Sequence, residues 1–177
     1  MRASNISETE EGKCRQKFCP LFMHDCPYPI RNYVPYIERK EGETLCFLSI
    51  SSRRKKEMKM LENMLSDFGF RVILALKVPS VGRLIFCKIC KLVDICDFAI
   101  VELTEWNANV LIELGFIYGL KKPVLILLKR NEGIPSNLRG IEYLPYNTLK
   151  DLKNKLKKVF STMSKDYIEG LRRREWP

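Results

Sequence analysis

From Thr44 onward, short β-branched or apolar runs alternate with longer amphipathic stretches, and this alternation restricts the fold more than any other feature of the chain. A strand that is apolar throughout must be covered on both faces, and a helix between successive strands provides that cover. Leu45 to Ile50 reads as a buried strand, after which Met58, Leu61, Leu65 and Phe68 recur at helical spacing until Gly69 stops the helix. The same reading gives strands over Phe70–Leu76, Phe98–Leu103 and Pro123–Leu128, with helices over Val81–Val93 and Asn109–Leu120. Ile141–Tyr143 is expected as a short fifth strand, and a helix from Leu149 to Met163 closes the pattern.

Short connections and right-handed crossovers then favour a five-stranded, doubly wound, flavodoxin-like α/β domain of strand order 2-1-3-4-5. In this topology the winding reverses between strands one and three, and ligands bind at the carboxyl ends of the strands there. Two loops are selected before any chemistry is considered. They are Ser49 to Arg54 after the first strand and Thr104 to Asn109 after the third.

The third helix carries the informative residue. Val110, Leu111, Ile112, Leu114, Phe116, Ile117 and Leu120 make it apolar nearly all round, which predicts burial, yet Glu113 stands among them. A carboxylate in such surroundings must find a partner or have its pKa raised, so Glu113 is a candidate acid, base or nucleophile. The bland reading places it in the first turns of the helix, paired with a nearby Lys or Arg and favoured by the macrodipole. Asn107 and Asn109 suit the helix N-cap, and Gly115 is expected to let the helix approach the sheet closely.

The run Asp94-Ile-Cys-Asp97, the acidic-x-Thr step Glu102 to Thr104, Asn107-Ala-Asn109-Val, Glu113-Leu-Gly115 and Lys122-Pro123-Val resembles the signature of nucleoside 2-deoxyribosyltransferase-like and TIR-like nucleotide-binding proteins. Ile134-Pro135 through Leu138-Arg-Gly140, followed by Ile141 and Tyr146, fits the ending of that pattern, and the likeness spans about Thr44 to Phe160. It implies cleavage or transfer at the N-glycosidic bond of a nucleoside, nucleotide or NAD, with Glu113 as the catalytic carboxylate. A carboxylate beside the anomeric carbon stabilises oxocarbenium character or forms a covalent sugar ester while the base leaves. Glu102, where many relatives carry Asp, is then a candidate for the ribose hydroxyls, and Asn107 and Asn109 for orienting sugar or base. Ser49, Ser51, Ser52 and Arg53 suit phosphate contacts. True deoxyribosyltransferases carry Gly-Thr in place of the Asn107 to Asn109 loop, which favours hydrolysis over base exchange. Trp106 is positioned to narrow the pocket or stack on a base. The superfamily also includes modules that bind nucleotides without turning them over, and its members are often homo-oligomers.

Residues 1–43 have another texture. Pro20, Pro27, Pro29 and Pro35 break any periodicity, and the segment holds the only His. Cys14-x4-Cys19-x4-His24-x-Cys26 is a candidate metal set for zinc or, failing that, an iron-sulfur cluster, because a loop-rich segment with little apolar material gains organisation from a metal. The division expected is thus an appendage over 1–43, the α/β domain over 44–163 and a basic tail over 164–177. Cys87, Cys90 and Cys96 fall in apolar surroundings and read as buried free thiols.

The net charge of +10 is carried wholly beyond residue 43, since residues 1–43 hold equal numbers of basic and acidic groups. Arg53 to Lys56 and the Arg172-Arg173-Arg174 run make a phosphate-bearing partner plausible, but no nucleic-acid-binding motif accompanies them, and solvated helix faces explain such charges equally well. The apolar runs, Pro123 to Leu128 among the longest, fall well short of the roughly 18 residues of a membrane span. The N-terminus shows neither an apolar secretory core nor an Arg-rich transit pattern, so the cytoplasm is the expected location.

Overall fold

The computed structural model describes residues 37, 39–79, 85–130, 133 and 139–162. Five parallel strands form one sheet: β1 (Thr44–Ser49), β2 (Phe70–Ile73), β3 (Phe98–Glu102), β4 (Val124–Lys129) and β5 (Leu144–Tyr146), in the order β2-β1-β3-β4-β5. Four helices cover it: α1 (Lys55–Asp67), α2 (Ile85–Ile95), α3 (Ala108–Gly119) and α4 (Leu149–Thr162). This is the flavodoxin-like arrangement the periodicity predicts.

The two-residue repeat of the strands sorts the core into two layers. Cys46, Leu48, Phe98, Ile100 and Leu127 face α1 and α4, where Leu61, Leu65, Leu152 and Leu156 meet them. Leu45, Phe47, Ala99, Val101, Ile126 and Leu128 face α2 and α3, against Leu92, Val93, Leu114 and Ile117. Each large aliphatic side chain so buried contributes roughly 1.5–3 kcal/mol.

Four expectations are corrected. β2 ends at Ile73, and Ala75–Lys77 forms a single turn of 3-10 helix instead of prolonging the strand. The fifth strand is Leu144–Tyr146, not Ile141–Tyr143; Pro145 is tolerated because β5 lies at the sheet edge. α3 is not buried all round, since Ile112 and Tyr118 remain 40% and 44% exposed and Gly115 lies at the surface. A Cβ added to Gly115 would meet nothing within 4 Å, so close approach to the sheet is not its role.

Motif residues also act in the scaffold. Asp97 is buried at the entry to β3, accepts from the Leu45 amide at 2.8 Å and is gripped at 2.8 Å by Arg39, so the fold reaches back before Thr44. Lys122, of the Lys-Pro-Val step, donates to the carbonyls of Asp94 and Cys96 at 2.6 and 2.7 Å, placing a cation at the negative end of α2. Cys46, Cys87 and Cys96 are buried and Cys90 is half-buried; burial pushes the Cys46 and Cys96 thiols well up and keeps them protonated. Among the described residues no helix is long and apolar enough to cross a membrane.

Candidate active site

The carboxyl ends of β1 and β3, where the winding reverses, open onto a cavity of about 260 Å³. Its walls come from the loop after β1 (Ser51, Ser52), the segment after β2 (Leu74 to Leu76), the first turns of α2 and the first turns of α3. Most of the lining is apolar. Among the described residues that line it, two are ionisable: Glu113 and Lys88.

Glu113 is placed by α3 and oriented by β1. The helix begins at an Asn107 cap whose side chain accepts from the Asn109 amide at 2.9 Å, and Glu113 follows a turn and a half later on the face turned to the sheet's end. There the Ser49 hydroxyl donates to Oε2 of Glu113 in a short contact. Burial raises the carboxyl's pKa above its ordinary value, while the Ser49 hydrogen bond and the Lys88 charge pull it back. A carboxyl so perturbed by burial and held by specific partners in a cleft is a candidate acid, base or nucleophile.

Lys88 was not among the residues singled out from the sequence. It is 6% exposed, and Nζ donates to the carbonyls of Ala75 at 2.8 Å and Val78 at 2.9 Å. Desolvation lowers its pKa, and the attraction of Glu113 opposes that shift. The signal was present: a lysine one position before Ile89 and four before Leu92 falls on the apolar stripe of α2 and requires a polar reason to be there.

Of the loop residues nominated for substrate, Ser51 and Ser52 line the cavity, the first buried and the second exposed. Asn107 and Asn109 line it as well, at the head of α3. Arg53 is exposed and outside the lining. Trp106 packs against the α2/α3 core layer with its backbone at φ 48°, a left-handed conformation that is uncommon for a bulky residue and that redirects the chain into α3.

Glu102 is also outside the cavity lining. It shares the parity of Phe98 and Ile100 on β3 and so faces α1 and α4, the opposite layer from Glu113. Its Oε1 accepts from Tyr146 at 2.8 Å and from the Thr104 hydroxyl, while Oε2 lies 3.1 Å from Nε of Arg54 in an ion pair that lacks hydrogen-bond alignment. Arg54 in turn donates to Tyr146 at 2.8 Å and to Glu57 at 2.9 Å. Burial, together with the adjacent Glu102, pushes the Tyr146 phenol well up, so it stays a neutral donor. This network fastens α1, β3 and β5 together beneath the crevice.

Cys14, Cys19, His24 and Cys26, and the Arg172 to Arg174 run, lie outside the described residues. Among the described residues no group of His, Cys, Asp and Glu is arranged to hold a metal ion.

Fold and cavity together define a doubly wound α/β domain that presents one carboxylate, with its serine, at the switch point. The same fold is found in a CMP N-glycosidase from Clostridium botulinum, BcmB, at 21% identity and a TM-score of 0.57, covering 66% of this chain and 99% of that one. It is found again in the TIR domain of the Toll-related receptor TRR-2 from Hydra magnipapillata, at 17% identity and a TM-score of 0.51, covering 72% and 97%. A 2-deoxyribosyltransferase from Bacillus psychrosaccharolyticus is more distant, with a TM-score of 0.48 at 21% identity over 63% of this chain and 91% of its own. No protein-family model matches the chain, and no curated protein does.

Proposed function

We propose that the chain cleaves the N-glycosidic bond of a nucleoside or nucleotide, as a hydrolase or a transferase, with Glu113 as the carboxylate that meets the anomeric carbon. The observation that carries this reading is Glu113, which lines the switch-point cavity and is held from behind by the buried Ser49 hydroxyl. A half-buried carboxylate held by a hydroxyl can stabilise oxocarbenium character or form a glycosyl ester, and the apolar wall beside it suits the face of a base. The fold shared with a CMP N-glycosidase is consistent with such a substrate.

At about 260 Å³ the cavity falls just below the roughly 300–1,000 Å³ of pockets for drug-sized ligands, a scale compatible with the nucleoside portion of such a substrate. Ser51, Ser52, Asn107 and Asn109 supply the polar rim for sugar and phosphate.

The test is free-base release from a panel of nucleosides, nucleoside monophosphates and NAD, read by chromatography for wild type and Glu113→Gln. Release by wild type that is lost in the variant supports the reading. Equal release by both removes Glu113 from the mechanism. Thermal stabilisation by a nucleotide that is recovered intact would instead assign the cavity to a binding or signalling module of the TIR kind.

A further inference from the structure

We infer that Lys88 is the proton donor to the departing base, paired in the cavity with Glu113, so that one amine and one carboxylate make up the acid–base machinery of the site. The inference rests on the N-glycosidase reading above and extends it to a residue that the sequence pattern did not nominate.

Lys88 and Glu113 are the two ionisable side chains among the described residues that line the cavity, and they come from the neighbouring helices α2 and α3. Lys88 as a whole residue is 6% exposed, and the two hydrogen bonds of its ammonium go to the carbonyls of Ala75 and Val78 rather than to a carboxylate. An ammonium has three N–H donors, so one remains for the cavity that the residue lines. A buried cation that could have been an aliphatic residue on this stripe of α2 carries a desolvation cost that packing does not explain.

The chemistry has a place for such a donor. A purine or pyrimidine leaves as a neutral base only if a proton reaches its ring nitrogen or carbonyl oxygen as the C–N bond breaks. In the first step Glu113 Oε attacks the anomeric carbon, the C–N electron pair passes to the base, and the Lys88 N–H proton moves onto the base. In the second step water adds its oxygen to the anomeric carbon, the Glu113 ester bond breaks, and the water's proton returns to the Lys88 amine. Atoms and electrons balance, and the enzyme is restored. Burial supports the assignment, because an ammonium whose pKa lies below its ordinary value gives up a proton more readily near neutral pH. Among the described residues, Glu113 faces it from α3, Lys77 in the preceding turn pairs with Glu62, Lys91 one turn along α2 pairs with Asp94, and β1 offers the Ser49 hydroxyl.

The test compares leaving groups. A pyridinium riboside expels a pyridine that is neutral without any proton, whereas a pyrimidine or purine nucleotide requires one. Lys88→Arg keeps a cation and its donors to the carbonyls but cannot release a proton in this pH range; Lys88→Met removes the charge. Both variants should lose about 10²-fold or more in kcat on the pyrimidine or purine substrate, the usual contribution of a positioned acid, and stay within a few-fold of wild type on the pyridinium riboside. A second readout needs one substrate only: the decline of kcat/KM at high pH should disappear in Lys88→Arg. Equal losses on both substrates, or a high-pH limb unchanged in Lys88→Arg, would overturn the assignment and leave the N-glycosidase reading standing. If wild-type protein cleaves neither substrate, that reading fails and this one falls with it.

Discussion

The Ser49 hydroxyl at the end of β1 donates to the Glu113 carboxylate on α3, joining residues 64 positions apart in the chain. The pairing follows from sheet order, because β1 lies beside β3 and the helix that follows β3 folds back over that junction. Removing the hydroxyl takes away one of the two influences that hold the Glu113 pKa down. Ser49→Ala should therefore shift the acid limb of kcat/KM to higher pH and cut activity at neutral pH by roughly 10- to 100-fold, the worth of a hydrogen bond to a charged group. An unchanged pH profile would detach the serine from the carboxylate's ionisation.

Glu113 also has a signature in stability. Its folded pKa is raised above the unfolded value, so its contribution is most favourable below the unfolded pKa and is lost as pH rises through the folded one. Glu113→Gln should consequently melt at a higher temperature than wild type at pH 7 to 8, with the gap closing below about pH 4.5, while base release falls by at least about 10²-fold. Calorimetry across this range settles the sign; a variant less stable than wild type at pH 8 would contradict it.

The Arg54–Glu102 pair predicts the opposite behaviour. Its side chains are 9% and 0% exposed, so Arg54→Met leaves a buried carboxylate with only neutral donors, at a cost of about 3–5 kcal/mol. The double variant Arg54→Met with Glu102→Gln should recover part of that loss in urea unfolding. Additive losses would mean that the two groups do not interact.

Two surface positions on α3 should accept stabilising changes. Gly115 has open space where a Cβ would lie, so Gly115→Ala is expected to add about 0.5–1 kcal/mol. Lys121 holds φ 51° at the end of the helix, where its amide bonds to the Tyr118 carbonyl and that of Lys122 to Ile117, the Schellman pattern that glycine fits best. Lys121→Gly should raise the melting temperature, and a fall would show that the lysine side chain contributes something its exposure does not reveal.

For the segment before the α/β domain, we propose zinc on Cys14, Cys19, His24 and Cys26. Elemental analysis of the purified full chain should find about one zinc per chain, lost in Cys19→Ser. Metal-free protein purified without chelator would dismiss the proposal.

Much of the architecture was legible in the chain itself. Leu45 to Leu48 and Phe98 to Val101 are apolar at every position, which only a strand covered on both faces can satisfy, and the helical spacing of Met58, Leu61 and Leu65 fixed what lies between. Glu113 stood out by the same logic, as a carboxylate in an apolar helix. β5 was misplaced because Ile141 and Tyr143 look more strand-like than a run containing Pro145, and only the edge position of that strand excuses the proline.

What local sequence settled, then, was the succession of strands and helices and the presence of one misfit acid, since periodicity and burial act over a few neighbouring residues. What the tertiary structure alone decided was company. Strand parity turns Ser49 toward α2 and α3, and Glu102 toward α1 and α4, so two carboxylates that looked like one site lie in different layers. Lys88 acquires its meaning only once α2 is laid beside α3 at the crevice, because an electrostatic partnership depends on distance through space and leaves no trace in spacing along the chain.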